Sequence, residues 1–186
     1  FEAALRLADH LVRQFPVNER LNYADHPEVE IGLMRLVEAT GAGAYLELAS
    51  HFARQVTFAR PPDLGDGANL RPLAEQRVAW GHAVRTAYLY TGATEVVRHT
   101  GADDLRTALS SLWHSIMDTR LYVHGGVGGP AVAEQLQPPW LLDSATTYSE
   151  TCANIAHAQW NHSLNLLSGE SLYADVVEHQ LYNAGL

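Results

Sequence analysis

Apolar residues along the chain recur at intervals of three and four rather than two, the spacing that lines one face of a helix. Leu5, Ala8, Leu11, Val12 and Phe15 form a first stripe, and Ile31, Leu33 or Met34, and Val37 form a second. Read this way, the pattern predicts helices over about residues 2–15, 27–40, 44–59, 75–91, 93–99, 102–119, 150–168 and 171–183, with almost no strand. Three helix ends carry the same punctuation: Thr40-Gly41 followed by Tyr45, Thr100-Gly101 followed by Leu105, and Ser168-Gly169 followed by Tyr173. A glycine suits the left-handed residue that closes a helix, and the large apolar residue four positions on opens the next helix against the core. The expected fold class is all-α, built from αα-hairpins.

Two stretches interrupt the helical pattern. Pro61-Pro62-Asp63-Leu64-Gly65-Asp66-Gly67 stacks prolines and turn formers and reads as a surface loop. The second runs from Leu121 to Ser144 through His124-Gly125-Gly126-Val127-Gly128-Gly129-Pro130 and Pro138-Pro139. It is too long for a casual connection, and long irregular loops inside compact domains tend to carry function.

Composition narrows the partners. The 186 residues are 47% hydrophobic and 18% charged, ordinary for one soluble globular domain. Twelve Lys and Arg against 21 Asp and Glu leave a formal charge of −9, a field that repels phosphate backbones and anionic headgroups, so neither nucleic acid nor a membrane is an expected partner. A single cysteine, Cys152, excludes an internal disulfide and favours a reducing, cytoplasmic setting. No apolar run approaches the length of a membrane helix. The N-terminal Phe1-Glu2-Ala3-Ala4 has neither an initiator Met nor a signal-peptide layout, which predicts a piece of a longer chain.

The long loop and the helix after it carry a family likeness. Tyr122-Val123-His124-Gly125-Gly126-Val127-Gly128, then Glu134, then Tyr148-Ser149-Glu150-Thr151-Cys152-Ala153 resemble the glycine-rich loop, lone glutamate and Glu-Thr-Cys-Ala segment of the family 127 glycoside hydrolases, the β-L-arabinofuranosidases and their relatives. Upstream, Gln76, Gly81-His82-Ala83-Val84-Arg85 and Tyr88-Leu89-Tyr90 resemble that family's Gly-His-Ala-Val-Arg helix. His26-Pro27-Glu28-Val29-Glu30 matches an earlier piece, and Tyr173-Ala174-Asp175 with Leu181-Tyr182-Asn183 a later one. The likeness therefore runs, in order, over nearly the whole chain. Two positions depart from it: Leu136 stands where the family has an aromatic, and His124 where it has Thr.

What the resemblance implies is a partial (α/α)6 catalytic barrel over residues 1–186, with β-sandwich domains beyond. The eight predicted helical segments fall short of the twelve of a closed ring, so an apolar flank should be exposed. It further implies a zinc ion in the barrel's mouth held by a glutamate and three cysteines, one of them the nucleophile. Carried over, Glu150 and Cys152 fall on zinc ligands, Glu134 on the general acid/base, and His82 on a sugar-contacting histidine. The other two ligands, an adjacent Cys-Cys pair, lie downstream of Leu186, so this chain alone is expected to be inactive and to bind zinc weakly. The implied substrate is a small glycoside or an oligosaccharide. The competing classes are a degenerate carbohydrate-binding relative, or another (α/α)6 sugar enzyme that uses histidines and no zinc.

Taken by themselves the residues leave more room. Zinc accepts carboxylate oxygen and thiolate sulfur, but residues two apart on a continuous helix point about 200° from each other. Glu150 and Cys152 can share an ion only where the segment is extended or just entering a helix, a condition that Thr146-Thr147 and an N-cap at Ser149 would meet. A small buried thiol beside a first-turn acid is the plain alternative. Glu134 reads either as a partly desolvated acid or as a solvated loop residue, and His82 as a ligand contact or a satisfied core histidine. His157 and His162 read as packing or sugar-contact residues, and Trp80, Trp113, Trp140 and Trp160 as core or as stacking platforms.

Overall fold

The computed structural model describes residues 1–17, 26–54, 72–129 and 134–185. Seven α-helices occupy most of them: α1 (Glu2–Gln14), α2 (Val29–Thr40), α3 (Gly43–Arg54), α4 (Ala83–Thr100), α5 (Asp103–Met117), α6 (Thr151–Ser168) and α7 (Ser171–His179), the last continued by a π-turn, Gln180–Ala184. Among the described residues extended pairing is limited to isolated bridges, such as the antiparallel one between His82 and Gln135. The chain is all-α, as expected. The loop at 61–67 and the last residues of the helix expected over 44–59 lie outside the described residues, as do positions 130–133.

The three repeated helix ends each close a hairpin. Gly41, Gly101 and Gly169 are all left-handed, with φ of 72°, 68° and 76°. The hydroxyl before each one does double duty. Thr40, Thr100 and Ser168 donate to the carbonyl four residues back (Leu36, Val96, Leu164) and accept from the N–H two residues on (Ala42, Ala102, Glu170). That satisfies orphan groups on both sides of the turn. The hairpins α2–α3, α4–α5 and α6–α7 then stack so that α2, α4 and α6 lie side by side as an inner layer, with α1, α3, α5 and α7 outside.

One expectation fails here: the separate helices over 75–91 and 93–99 are a single helix, α4, that begins at Ala83. Gly92, which marked the break, sits mid-helix where α2 crosses. A Cβ at this position would fall 2.6 Å from Glu30 Cβ. The glycine is there for close approach rather than for a turn. Residues 76–82 are extended or turn instead.

The core between α4 and α6 is polar as well as apolar. Trp160, fully buried, stacks on Tyr90 with ring centroids 4.9 Å apart and donates from Nε1 to Thr94 Oγ1 at 3.0 Å. Trp113 Nε1 donates to Asn161 Oδ1 at 2.8 Å. Glu95, also fully buried, pairs with Arg98 at 2.5 Å and accepts from Ser163 Oγ at 2.7 Å. Each of these indole and carboxylate groups therefore meets a partner from another turn or helix, which offsets the cost of burying it, whereas the buried Tyr90 hydroxyl beside them has no hydrogen-bond partner among the described residues. Trp113 and Trp160 are core; Trp140 is exposed.

The expected apolar flank is present at both ends of the layer. Phe1, Leu7 and Leu11 of the first segment and Leu33 and Leu36 of α2 line a groove of about 520 Å³. At the other end Leu166, Leu172, Leu181 and Tyr182 are exposed.

Candidate active site

Contacts of Glu30 with Gly92 and Glu38 with Arg98, and of Trp160 with Thr94 and Ser163 with Glu95, show that α2, α4 and α6 run the same way, so their N-caps, Glu28, His82 and Glu150, face the same side, with Glu28 reaching the level of Tyr88. Three helix N-termini give that side a positive potential, a setting that favours carboxylates. The candidate residues gather there.

Glu134 is delivered by a short run of backbone pairing. Leu136 N donates to Gly81 O at 2.8 Å beside the His82–Gln135 bridge, and Gly129 N donates to Gln135 O at 2.7 Å. On its far side, Gly129 O accepts from Tyr148 N at 2.7 Å, and Thr147 Oγ1 donates to Gly128 O at 3.0 Å. A thin ribbon thus passes from the start of α4, through residues 135–136 and 128–129, to residues 147–148. Only a glycine fits at 129, where a Cβ would meet Gln137 N at 2.8 Å and Gln135 O at 2.9 Å. Glu134 itself is left-handed, with φ 49°, uncommon for a residue with a Cβ. Its Oε2 lies 2.7 Å from His82 Nε2, and its side chain is 44% exposed.

Glu150 and Cys152 sit at the other end of that ribbon. The helix cap falls one residue later than expected: Ser149 is left-handed (φ 33°) and the N-cap is Glu150, extended at φ −67°, ψ 150°. Cys152 is the second residue of α6. The pair therefore occupies the boundary between extended chain and helix where both side chains can face one side. Cys152 is exposed rather than a small buried thiol.

Tyr148 joins the two halves. Its hydroxyl donates to the Glu150 carboxylate, which pushes the phenol up to about 12, and the charges of Glu134 and Cys152 act in the same direction. Tyr88, on the second turn of α4, is raised by burial and then by Glu28 and Cys152. His26 packs near it, ring centroids 6.0 Å apart. Glu134, His82, Glu150 and Cys152 are thus brought together, while His157 is buried behind them and His162 lies on the outside of α6. Tyr148, Tyr88 and Glu28 were missed as site residues. All three stand inside the matched segments, so position within the motif was the available signal.

The donor set suits zinc in kind, one carboxylate oxygen and one thiol sulfur, but supplies half of a tetrahedral shell. Among the described residues no three His, Cys, Asp or Glu side chains are arranged to hold a metal. None of the described helices is long and apolar enough to cross a membrane.

Residues 1–186 match the family described as β-L-arabinofuranosidase, GH127 catalytic domain. The chain is 31% identical over 207 residues to a non-reducing end β-L-arabinofuranosidase of Bifidobacterium longum subsp. longum, covering 100% of this chain and 32% of that protein. Among solved structures it is similar to a GH127 β-L-arabinofuranosidase from Geobacillus stearothermophilus T6, at 31% identity and TM-score 0.83, over 96% of this chain and 31% of that one. A second GH127 β-arabinofuranosidase gives 32% identity and TM-score 0.86 over 99% of this chain and 29% of that one. The chain spans about a third of the length of these relatives.

Proposed function

Since the chain belongs to the GH127 glycoside hydrolases, we propose that it forms part of the (α/α)6 catalytic barrel of a retaining β-L-arabinofuranosidase, with Glu134 as general acid/base and Glu150 and Cys152 as zinc ligands. The observation that carries this reading is the ribbon of backbone bonds through residues 135–136, 128–129 and 147–148, which links Glu134 to Tyr148, whose hydroxyl holds Glu150 two residues before Cys152. The zinc-bound thiolate nucleophile belongs to a Cys-Cys segment outside residues 1–186, as do β-sandwich domains.

In the proposed reaction Glu134 gives a proton to the glycosidic oxygen as the bond to the sugar breaks, then takes one from the water that completes hydrolysis. Its half-exposed side chain on a pinned loop can reach substrate while its backbone stays fixed. Glu150 is held by the Tyr148 hydroxyl, the kind of outer partner that orients a metal-binding carboxylate. Zinc bound to Glu150 and Cys152 would keep a thiolate deprotonated and make it a better leaving group in the second step.

The test is hydrolysis of 4-nitrophenyl β-L-arabinofuranoside and of β-L-arabinofuranosyl oligosaccharides by the full-length protein, with metal content measured on the same sample. Release of L-arabinose by a protein carrying one zinc per chain is the expected result. A zinc-free protein that hydrolyses these substrates equally well would overturn the metal assignment, and a zinc-loaded one that hydrolyses none of them the substrate assignment.

A further inference from the structure

We propose that His82 is the positioning residue of the acid: it holds Glu134 Oε2, so that Oε1 is the oxygen that carries the proton to the leaving group. The inference rests on Glu134 being the acid/base, and adds which atom acts and what aims it.

The ring's tautomer follows from geometry. His82 is the N-cap of α4, and its Nδ1 accepts the Val84 N–H at 3.2 Å. A proton on Nδ1 would point at that N–H, so Nδ1 is bare and the ring's proton sits on Nε2. There it donates to Glu134 Oε2 at 2.7 Å. Oε2 is an acceptor in this arrangement whether or not the carboxyl group holds a proton. Only Oε1 is left to bear the proton and present it to substrate.

The rest of the local structure supplies what such a device requires. Ring orientation is fixed by the cap bond to α4, and ring position by the bridge to Gln135. The Glu134 backbone is left-handed, and the two residues that follow it are both paired, Gln135 O accepting from Gly129 N and Leu136 N donating to Gly81 O. With the backbone pinned directly after Glu134, the His82 bond restrains the carboxylate itself, fixing one of its oxygens. Left-handed non-glycine residues persist only where their surroundings over-determine them, and they concentrate at functional sites. A histidine that served only as a sugar contact would need its Nε2–H for a sugar hydroxyl. That proton is already committed to Glu134.

Two leaving groups separate the roles. A 2,4-dinitrophenyl arabinofuranoside departs without protonation, whereas an alkyl arabinofuranoside needs the acid. In the full-length protein, His82→Ala should lower kcat/KM about a hundredfold on the alkyl glycoside, within the usual range for acid catalysis, and less than about tenfold on the dinitrophenyl one. His82→Gln, whose amide places an N–H near the Nε2 position, should recover at least about tenfold on the alkyl glycoside. If His82→Ala proves unstable in a thermal melt, the His82→Gln profile against wild type decides alone: near-wild-type discrimination between the two substrates supports positioning, and equal losses on both overturn it. Equal losses for His82→Ala, confined to KM, would likewise leave only a sugar contact. A wild-type protein that hydrolyses neither glycoside would instead sink the parent reading, before any variant is compared.

Discussion

On the Glu134 side the reactive carboxylate hangs from loop backbone, held by a bridge to the start of α4 and by one histidine. On the Glu150 side the two candidate ligands stand on the first turn of α6, with a left-handed Ser149 just before them. Both halves place a strained residue next to their chemistry, but they lean on different parts of the fold. The Glu134 half depends on α4 and the ribbon. The Glu150 half depends on Asn154, whose Oδ1 accepts from Val127 N at 2.9 Å and whose Nδ2 donates to Ala184 O at 3.0 Å and Ser149 O at 3.4 Å. An acid that must exchange a proton can sit on a loop with one oxygen free. Ligands that share an ion need a stiff common platform, and a helix N-terminus provides one.

The largest expected effect tests whether the two halves are chemically separable. In the full-length protein Cys152→Ala should abolish tight zinc binding together with hydrolysis, because it removes a ligand outright. Glu134→Gln should keep the zinc and slow turnover by about 10²–10⁴-fold, with the deficit largest for leaving groups that need protonation. Metal analysis and turnover on both variants decide it. A Glu134→Gln protein without zinc, or a Cys152→Ala protein that retains zinc and hydrolyses an arabinofuranoside, would show that the halves are one unit or that the roles are exchanged.

The same contrast explains what could be read from sequence. Helix α1 has the clearest apolar stripe in the chain, yet only Ala8 on it is buried, because the stripe lines the open groove beside α2. Helix α4, whose pattern is interrupted by Thr91, Gly92, Thr94 and Glu95, is buried along most of its length. Those polar residues are satisfied inside the core: Thr91 and Thr94 bond back within the helix to Ala87 O and Tyr90 O, and tertiary partners that no local period reveals complete the set, Trp160 donating to Thr94 and Ser163 to Glu95. Periodicity marks helices with one wet face, so it located the hairpin ends and most helices well and split α4, the one buried along most of its length. In the site, Glu134, Glu150, Cys152 and His82 were reached through motif likeness. The bond between His82 and Glu134 spans 52 positions and the cap at Glu150 turns on the φ of Ser149, and both are tertiary facts.

Next in size is a pH effect on the platform behind the Glu150 half. His157 is buried on α6, and burial pulls it down to about 4, opposed by its hydrogen bond with Gln180. Gln180 in turn donates to Gly125 O at 2.9 Å, so the histidine lies one side chain away from the glycine-rich loop. The folded chain refuses a proton that the unfolded chain accepts near about pH 6.5. Stability should therefore fall as pH drops from about 6.5 towards 4, by on the order of 3 kcal/mol at the low end. Denaturant midpoints measured at intervals from pH 7 to pH 4 on wild type and His157→Gln give the check, since carboxylates titrate in both proteins and the difference isolates the histidine. Parallel pH curves would mean that His157 does not couple this platform to protonation.

The smallest effect sharpens the contrast most, because it touches one half and spares the other. Asn154→Ala removes three hydrogen bonds from a residue that is 2% exposed, and leaves the Val127 N–H without its acceptor in a buried position. An orphaned buried donor costs about 1–3 kcal/mol, so the denaturation free energy should fall by about 2 kcal/mol. The Ser149 turn would lose the amide that steadies its carbonyl, and zinc affinity should drop about tenfold, as when other outer supports of a metal site are removed. Turnover should then fall by a similar factor on alkyl and dinitrophenyl glycosides, since Glu134 keeps its own supports and the acid step is untouched. That flat response is the opposite of the one expected for His82→Ala. Asn154→Asp keeps an acceptor for Val127 and loses both donated bonds, so it should regain part of the stability without regaining the metal. If Asn154→Ala instead discriminated between leaving groups as His82→Ala does, the ribbon through Gly129 and Tyr148 would be carrying strain from one half to the other, and the two supports could no longer be treated as separate.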